Sequence, residues 1–248
     1  LKDLEAEGNS DQSLIFTAPH SDVALINGKL PAGIVTTVSG SVPNPPLQLG
    51  AEIRSWFREF GIEFTGNVIS NSQLELNGEK PVRLPENNRI FTYESPTLDK
   101  IIFYFLRKSI NFYGETLLKT MAKEKTGNPS FKSGVAFMKD FWKAKGINPA
   151  MINFADGSGL SPQNYVSAKA EVQSLLYSQK QPWFKDFYEG FPTQDNGMKM
   201  KSGTMRDTKS YAGFHTSKDG KKYVFSIILN NYTGSGGAEL QKILNQLK

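Results

Sequence analysis

The run Tyr223-Val224-Phe225-Ser226-Ile227-Ile228-Leu229 constrains the fold of this chain more than any other stretch. It shows little apolar–polar alternation, which is the mark of a strand buried within a sheet. Together with residues 101–106 it is the longest apolar candidate, and both fall short of the roughly 18 residues that span a bilayer, so no transmembrane segment is expected. Residues 198–204 and 210–216 read as strands before it, and Asp219-Gly220 reads as a hairpin tip. After it, Gly234-Ser235-Gly236-Gly237 breaks the chain, and a terminal helix follows with Leu240, Ile243, Leu244 and Leu247 on one face.

The front of the chain is rich in short β-prone runs and turns. Residues 13–16, 23–26 and 34–38 are candidate strands, and Asn27-Gly28 has the composition of a two-residue hairpin turn. Pro43-Asn44-Pro45-Pro46 reads as a rigid connector, residues 49–60 as a helix ended by Gly61, and residues 62–69 and 89–93 as strands. From Thr97 the character is helical, with runs from Leu98, over 111–123, over 131–144 and over 166–178. The order is a β-rich piece, a helical block, then strands and a last helix. It predicts an α+β fold, an antiparallel sheet packed by helices.

Composition narrows the function. With 38% hydrophobic and 21% charged residues a packed core is feasible and wholesale disorder is not expected. There is no cysteine, which excludes disulfides, thiol catalysis and cysteine-ligated zinc. Only His20 and His215 exist, and no G-x-S-x-G elbow accompanies them, so a Ser-His-Asp hydrolase is poorly supported. The net charge of +5 comes from scattered lysines, with Lys218, Lys221 and Lys222 clustered at the hairpin tip. No basic stripe interleaved with aromatics is present, so nucleic acid is not an expected partner.

Three short strings carry the chemistry. Lys201-Ser202-Gly203-Thr204 lies in a strand-like stretch that returns through Arg206-Asp207-Thr208. A glycine after a small hydroxyl residue lets a substrate backbone lie against the strand, and the lysine offers a fixed positive charge. Ser109-Ile110-Asn111 sits where two helical runs meet, and a break there turns both polar side chains toward one cleft. Asp156-Gly157-Ser158-Gly159-Leu160-Ser161, followed by Asn164, demands a tight loop, with Ser161 placed to cap a helix beginning near Pro162. Lys125-Thr126-Gly127 spells a lysine–hydroxyl–glycine string more literally, but it follows a helix and comes too soon after Ser109 to form an opposite wall.

In this order the strings resemble those of the class C low-molecular-mass penicillin-binding proteins, the DacB-type D-alanyl-D-alanine carboxypeptidase/endopeptidase family. That family uses S-x-x-K, S-x-N and K-[ST]-G in sequence. Ser109-Ile110-Asn111 looks like the second and Lys201-Ser202-Gly203 like the third, with a DGSGLS loop between. Val38-Ser39-Gly40-Ser41-Val42-Pro43 and Gly61-Ile62-Glu63-Phe64-Thr65-Gly66 resemble the end of the family's inserted accessory region. The resemblance implies a β-lactamase/transpeptidase-like sheet with helices over residues 91–248, preceded over residues 1–90 by part of a β-rich accessory domain.

The departure is at the front. No serine has a lysine three residues on, and Thr97-Leu98-Asp99-Lys100 has the spacing with the wrong residue in the wrong place. The resemblance therefore implies that the nucleophile lies in an N-terminal segment of the same protein missing here, and that this chain alone is inactive.

The implied activity is serine-type cleavage of peptidoglycan stem peptides ending in D-Ala-D-Ala through an acyl-enzyme, with β-lactams as covalent inhibitors. Catalysis falls to Ser109 as proton relay, Asn111 as holder of a substrate amide and Lys201 as the charge polarising Ser109. Ser202, Gly203 and Thr204 form the substrate-binding strand, with Ser202 or Thr204 taking the terminal carboxylate and the Thr204 N–H half of an oxyanion hole. No cofactor or metal is implied, and the location is periplasmic or otherwise exported, on the cell-envelope side. The alternatives are a non-catalytic cell-wall-binding homologue, or a β-lactamase or esterase on the same scaffold.

Overall fold

A computed structural model describes residues 2–21, 23–85, 88–89, 91–205, 207–234 and 236–247. The chain divides into two compact units, Leu1–Thr92 and Tyr93–Lys248.

In the first unit, β1 (Lys2–Ala6), β2 (Leu14–Thr17) and β3 (Ala24–Leu30) form a sheet in the order β1-β3-β2, with β1 parallel and β2 antiparallel to β3. Two helices follow, α1 (Pro45–Glu59) and α2 (Asn71–Leu76). Asn27-Gly28 is not the expected hairpin turn; both residues lie inside β3. Gly28 has φ +132°, and a Cβ there would come 2.3 Å from the Gln12 carbonyl oxygen, so the glycine serves close backbone approach. Pro43-Asn44-Pro45-Pro46 is no plain connector either. Asn44 caps α1 by accepting the Leu47 N–H, and the two prolines fill the first helical positions, where no N–H is needed. Residues 34–38 and 62–69 form no strand, and Ser70 caps α2 instead by accepting the Gln73 N–H. A β-prone run needs a partner edge, and these have none among the described residues. Of the strand expected at 89–93, Ile90 lies outside the described residues and 91–93 are irregular.

The second unit runs α3 (Leu98–Lys108), α4 (Asn111–Thr126), α5 (Phe131–Ala144), β4 (Ile152–Asn153), β5 (Tyr165–Val166), α6 (Ala168–Ser178), α7 (Phe184–Gly190), β6 (Lys199–Met205), β7 (Thr208–Thr216), β8 (Lys222–Asn230) and α8 (Gly236–Gln246). The α+β expectation of an antiparallel sheet packed by helices is met: β6, β7 and β8 form a meander in that order. Arg206 in the first connection and Ser235 before α8 lie outside the described residues.

Side chains pack on both faces of the sheet, but β8 is less enclosed than its apolar run suggests: it ends the strand order among the described residues, only its Phe225 is buried, and Tyr223 is 48% exposed. On one face Met198 and Met200 pack with Phe225 and with Leu244 of α8. Leu240 and Leu244 are fully buried, whereas Ile243 and Leu247 remain 47% and 39% exposed, so α8 buries a narrower stripe than its apolar spacing suggests. On the other face Phe214 joins Leu175 of α6, Phe191, and Leu106 of α3. α7 was not expected from the sequence. Its Phe184 and Tyr188 make edge-on or tilted ring contacts with each other and with Phe214, at 5.3–5.6 Å between centroids. Such pairs contribute about 0.5–1.5 kcal/mol each beyond the area they bury. The helix expected near Pro162 starts later, at Ala168, where Ser167 accepts the Ala170 N–H at 3.2 Å.

Candidate active site

The site is built where α3 stops. Ser109 caps α3 in the left-handed region, φ 53° and ψ 48°. For a residue with a Cβ this costs roughly 1–2 kcal/mol, and it persists only when the surroundings hold it. One residue later α4 begins with Asn111. The helical path is thus broken at Ser109-Ile110, and both polar side chains stand at the start of α4 on exposed positions.

Lys201 comes from β6, ninety-two residues downstream, and its Nζ donates to Ser109 Oγ at 3.0 Å. The same ammonium donates to the Ser202 carbonyl oxygen at 2.8 Å. Partial burial removes water from the lysine and lowers its pKa below the ordinary 10.5. The fold therefore brings Ser109 and Lys201 together, with Asn111 two residues from the shared hydroxyl.

Strand geometry arranges the rest. β6 ends the strand order, and its one-to-one register with β7 runs unbroken from Lys199–Phe214 to Met205–Thr208. The Met200 N–H points away from β7, donating to the Pro192 carbonyl at 3.0 Å. Alternate residues of a strand turn their backbone groups the same way, so Ser202 and Thr204 also present theirs to the outer edge. Ser202, Gly203 and Thr204 are all exposed there. At Gly203 a Cβ would come 2.8 Å from Ser210 Oγ, so that position admits no side chain without a shift.

The Asp156 loop packs against the first turns of α4. Asp156 accepts the N–H groups of Gly159 and Ser161 at 2.7 and 2.6 Å and the Asn164 amide at 2.8 Å. Glu115 accepts the N–H groups of Gly157 and Ser158 at 3.2 and 3.1 Å, one per carboxylate oxygen. Sequence reasoning missed Glu115, because nothing local signals a contact that spans forty-two residues. Lys125-Thr126-Gly127 lies elsewhere, at the C-terminus of α4, where Gly127 caps the helix with φ 73°.

This arrangement provides a hydroxyl hydrogen-bonded to a partly desolvated ammonium, beside a strand edge that turns the backbone groups of Ser202 and Thr204 outward, the Ser202 carbonyl being held by Lys201. It suits proton transfer next to a bound peptide backbone. Among the described residues no group of three or more His, Asp or Glu side chains is placed to hold a metal.

Comparison with known proteins agrees on lineage. The chain is 23% identical over 256 residues to a D-alanyl-D-alanine carboxypeptidase of Actinomadura sp. (strain R39), covering 95% of this chain and 46% of that protein. It is 25% identical over 214 residues to the D-alanyl-D-alanine carboxypeptidase DacB of Haemophilus influenzae, covering 79% and 43%. The chain thus spans less than half the length of these relatives. The crystal structure of penicillin binding protein 4 (dacB) from H. influenzae has the same fold, with TM-score 0.74 and 24% identity over 95% of this chain and 56% of that one. The family model for D-Ala-D-Ala carboxypeptidase 3 (S13) matches residues 3–248, so the chain belongs to that family.

Proposed function

We propose that this chain is part of a serine-type D-Ala-D-Ala carboxypeptidase/endopeptidase acting on peptidoglycan stem peptides, with a serine nucleophile supplied by polypeptide outside these 248 residues. The contact of Lys201 Nζ with Ser109 Oγ carries this reading, because it joins two weak sequence strings into one proton-transfer pair. Residues 93–248 are then part of the transpeptidase-like domain, and the first unit is part of an accessory domain. The protein acts on the exported, cell-envelope side.

The nucleophilic serine attacks the carbonyl joining the two terminal D-alanines and forms an acyl ester as the amide bond breaks. Its proton leaves through its motif lysine. Ser109 hands a proton to the departing amine, polarised by the ammonium of Lys201. Asn111 hydrogen-bonds a substrate amide. The stem peptide lies along the outer edge of β6, with its carboxylate on Ser202 or Thr204. The outward Thr204 N–H supports the developing oxyanion beside the nucleophile's own N–H. Water then hydrolyses the ester. β-Lactams enter the same path and stay as acyl-enzymes.

The test is fluorescent-penicillin labelling of this chain joined to the polypeptide preceding it in its coding sequence. Covalent labelling that falls steeply in Ser109→Ala and Lys201→Ala is expected. Full-rate labelling in both variants overturns the site. A complete coding sequence with no S-x-x-K, and no labelling, marks instead a non-catalytic cell-wall-binding homologue.

A further inference from the structure

The Asp156 loop and Glu115 have no part in the chemistry above, yet they bear on the turn of helix that carries it. The backbones of loop and helix touch. A Cβ on Gly114 would come 2.3 Å from the Gly157 carbonyl oxygen, and a Cβ on Gly157 would come 2.2 Å from that of Gly114. Gly114 is one turn beyond Asn111, so the loop presses on the turn that begins at the site. Glu115 closes this contact with its two backbone hydrogen bonds, and charged acceptors make such bonds roughly twice as strong as neutral ones.

The loop is in turn held from behind. Asn164 donates to Asp156 and accepts the Ala155 N–H at 2.8 Å, while the Asn153 amide donates to the Gln163 carbonyl at 2.6 Å. A continuous set of hydrogen bonds therefore runs from the β4–β5 hairpin through the loop to α4. It reaches α4 at Glu115, one turn beyond the helix start; just before that start Ser109 has a backbone conformation that needs outside support, and Ile110 caps α4 with no side-chain hydrogen bond of its own.

We propose that Glu115 is a positioning residue: by fastening the Asp156 loop to the first turns of α4 it holds Ser109 and Asn111 against Lys201. It touches no reacting atom. The inference rests on the proposed function of Ser109, and the experiment separates the two.

In the nucleophile-containing protein, the saturating rate of acylation by fluorescent penicillin, the dissociation constant of the preceding non-covalent complex, and the final amount labelled are measured for Glu115→Ala and Glu115→Gln. A misplaced relay slows the chemical step, between about tenfold and about a hundredfold. Glu115→Ala is expected to show that loss in rate with the final amount labelled unchanged, and any weakening of the dissociation constant reports the displaced Asn111. Glu115→Gln keeps one acceptor and is expected to recover part of the rate. A wild-type rate in Glu115→Ala, or a wild-type rate with a reduced labelled amount, overturns the proposal, the latter by marking a role in folding alone. Normal acylation by Ser109→Ala overturns the functional reading itself.

Discussion

Three stretches of this chain spell a lysine, a hydroxyl residue and a glycine in succession; Lys132-Ser133-Gly134 lies within the first turn of α5, and the fold uses the other two for different ends. Lys125-Thr126-Gly127 closes a helix: the Thr126 hydroxyl donates back to the Ala122 carbonyl at 2.7 Å, and Gly127 takes the left-handed conformation that ends α4. Lys201-Ser202-Gly203 runs along the outer strand of a sheet whose far face is walled by helices. A helix end spends its backbone groups on itself. An edge strand turns alternate ones outward, with the lysine side chain able to reach across to Ser109. The letters are shared; the setting decides which string can meet a peptide.

The largest expected effect breaks the symmetry of the two strings directly. Lys201→Ala should lower the rate of penicillin acylation by a factor of about 10² or more, of the order found when one member of an acid–base or electrostatic set is removed. Lys125→Ala should leave that rate unchanged. Equal losses would show that the strand setting confers nothing.

The second prediction concerns pH. Burial lowers the Lys201 pKa, so its ammonium is lost at a pH below the ordinary 10.5. Acylation should therefore decline on the alkaline side earlier than an ordinary lysine would dictate. The same shift has the opposite sign for stability. In that window the unfolded chain holds the proton that the folded chain has released, so Lys201's contribution to stability rises with pH. Activity falling while thermal stability holds is the expected signature, read from rates and melting temperatures over one pH series. Activity and melting temperature falling in step would contradict it.

The strained conformation of Ser109 gives a third prediction. Ser109→Gly should abolish most acylation yet leave the protein as stable as Ser109→Ala or more so, by roughly 1 kcal/mol, because glycine adopts the left-handed region freely. Gly127→Ala is the counterpart at the other string. It should destabilise by about 1 kcal/mol without changing the acylation rate per folded molecule. Chemical denaturation measures both.

The smallest effect lies behind the strand. Lys201, Ala212 and Ser226 are successive cross-strand partners, and Ser226 Oγ donates to the half-buried Glu171 of α6 at 2.5 Å. Burial raises the Glu171 pKa above the ordinary 4.5. The folded chain then holds a proton that the unfolded chain has lost, so Glu171's contribution to stability falls as pH rises through its folded pKa. Glu171→Gln should be more stable than the parent at neutral pH, and the gap should close below pH 4.5. A gap independent of pH would contradict this.

What was legible in the sequence follows the same division between self-sufficient and context-dependent structure. Phe131–Ala144 could be read from its helical periodicity and Lys222–Asn230 from its unbroken apolar run, because each carries its own complete pattern. α7 could not, since a seven-residue helix has little stability of its own and forms because its rings meet Phe214. Asn27-Gly28 misled because a glycine demanded by a passing backbone looks like one demanded by a turn. At the site, Ser109, Asn111 and Lys201 were readable as strings, and Ser202, Gly203 and Thr204 as an edge. Glu115 was not, because its role is fixed by where a distant loop lands.

The pairing of Ser109 with Lys201 is the centre of the proposed chemistry, and a double-mutant cycle in acylation rate tests it most directly. If the ammonium acts through the hydroxyl, adding Lys201→Ala to Ser109→Ala should cost little beyond the larger single loss, leaving an interaction energy of at least about 1 kcal/mol. Strictly additive losses would mean that the two groups work independently, and the pairing would have no part in catalysis.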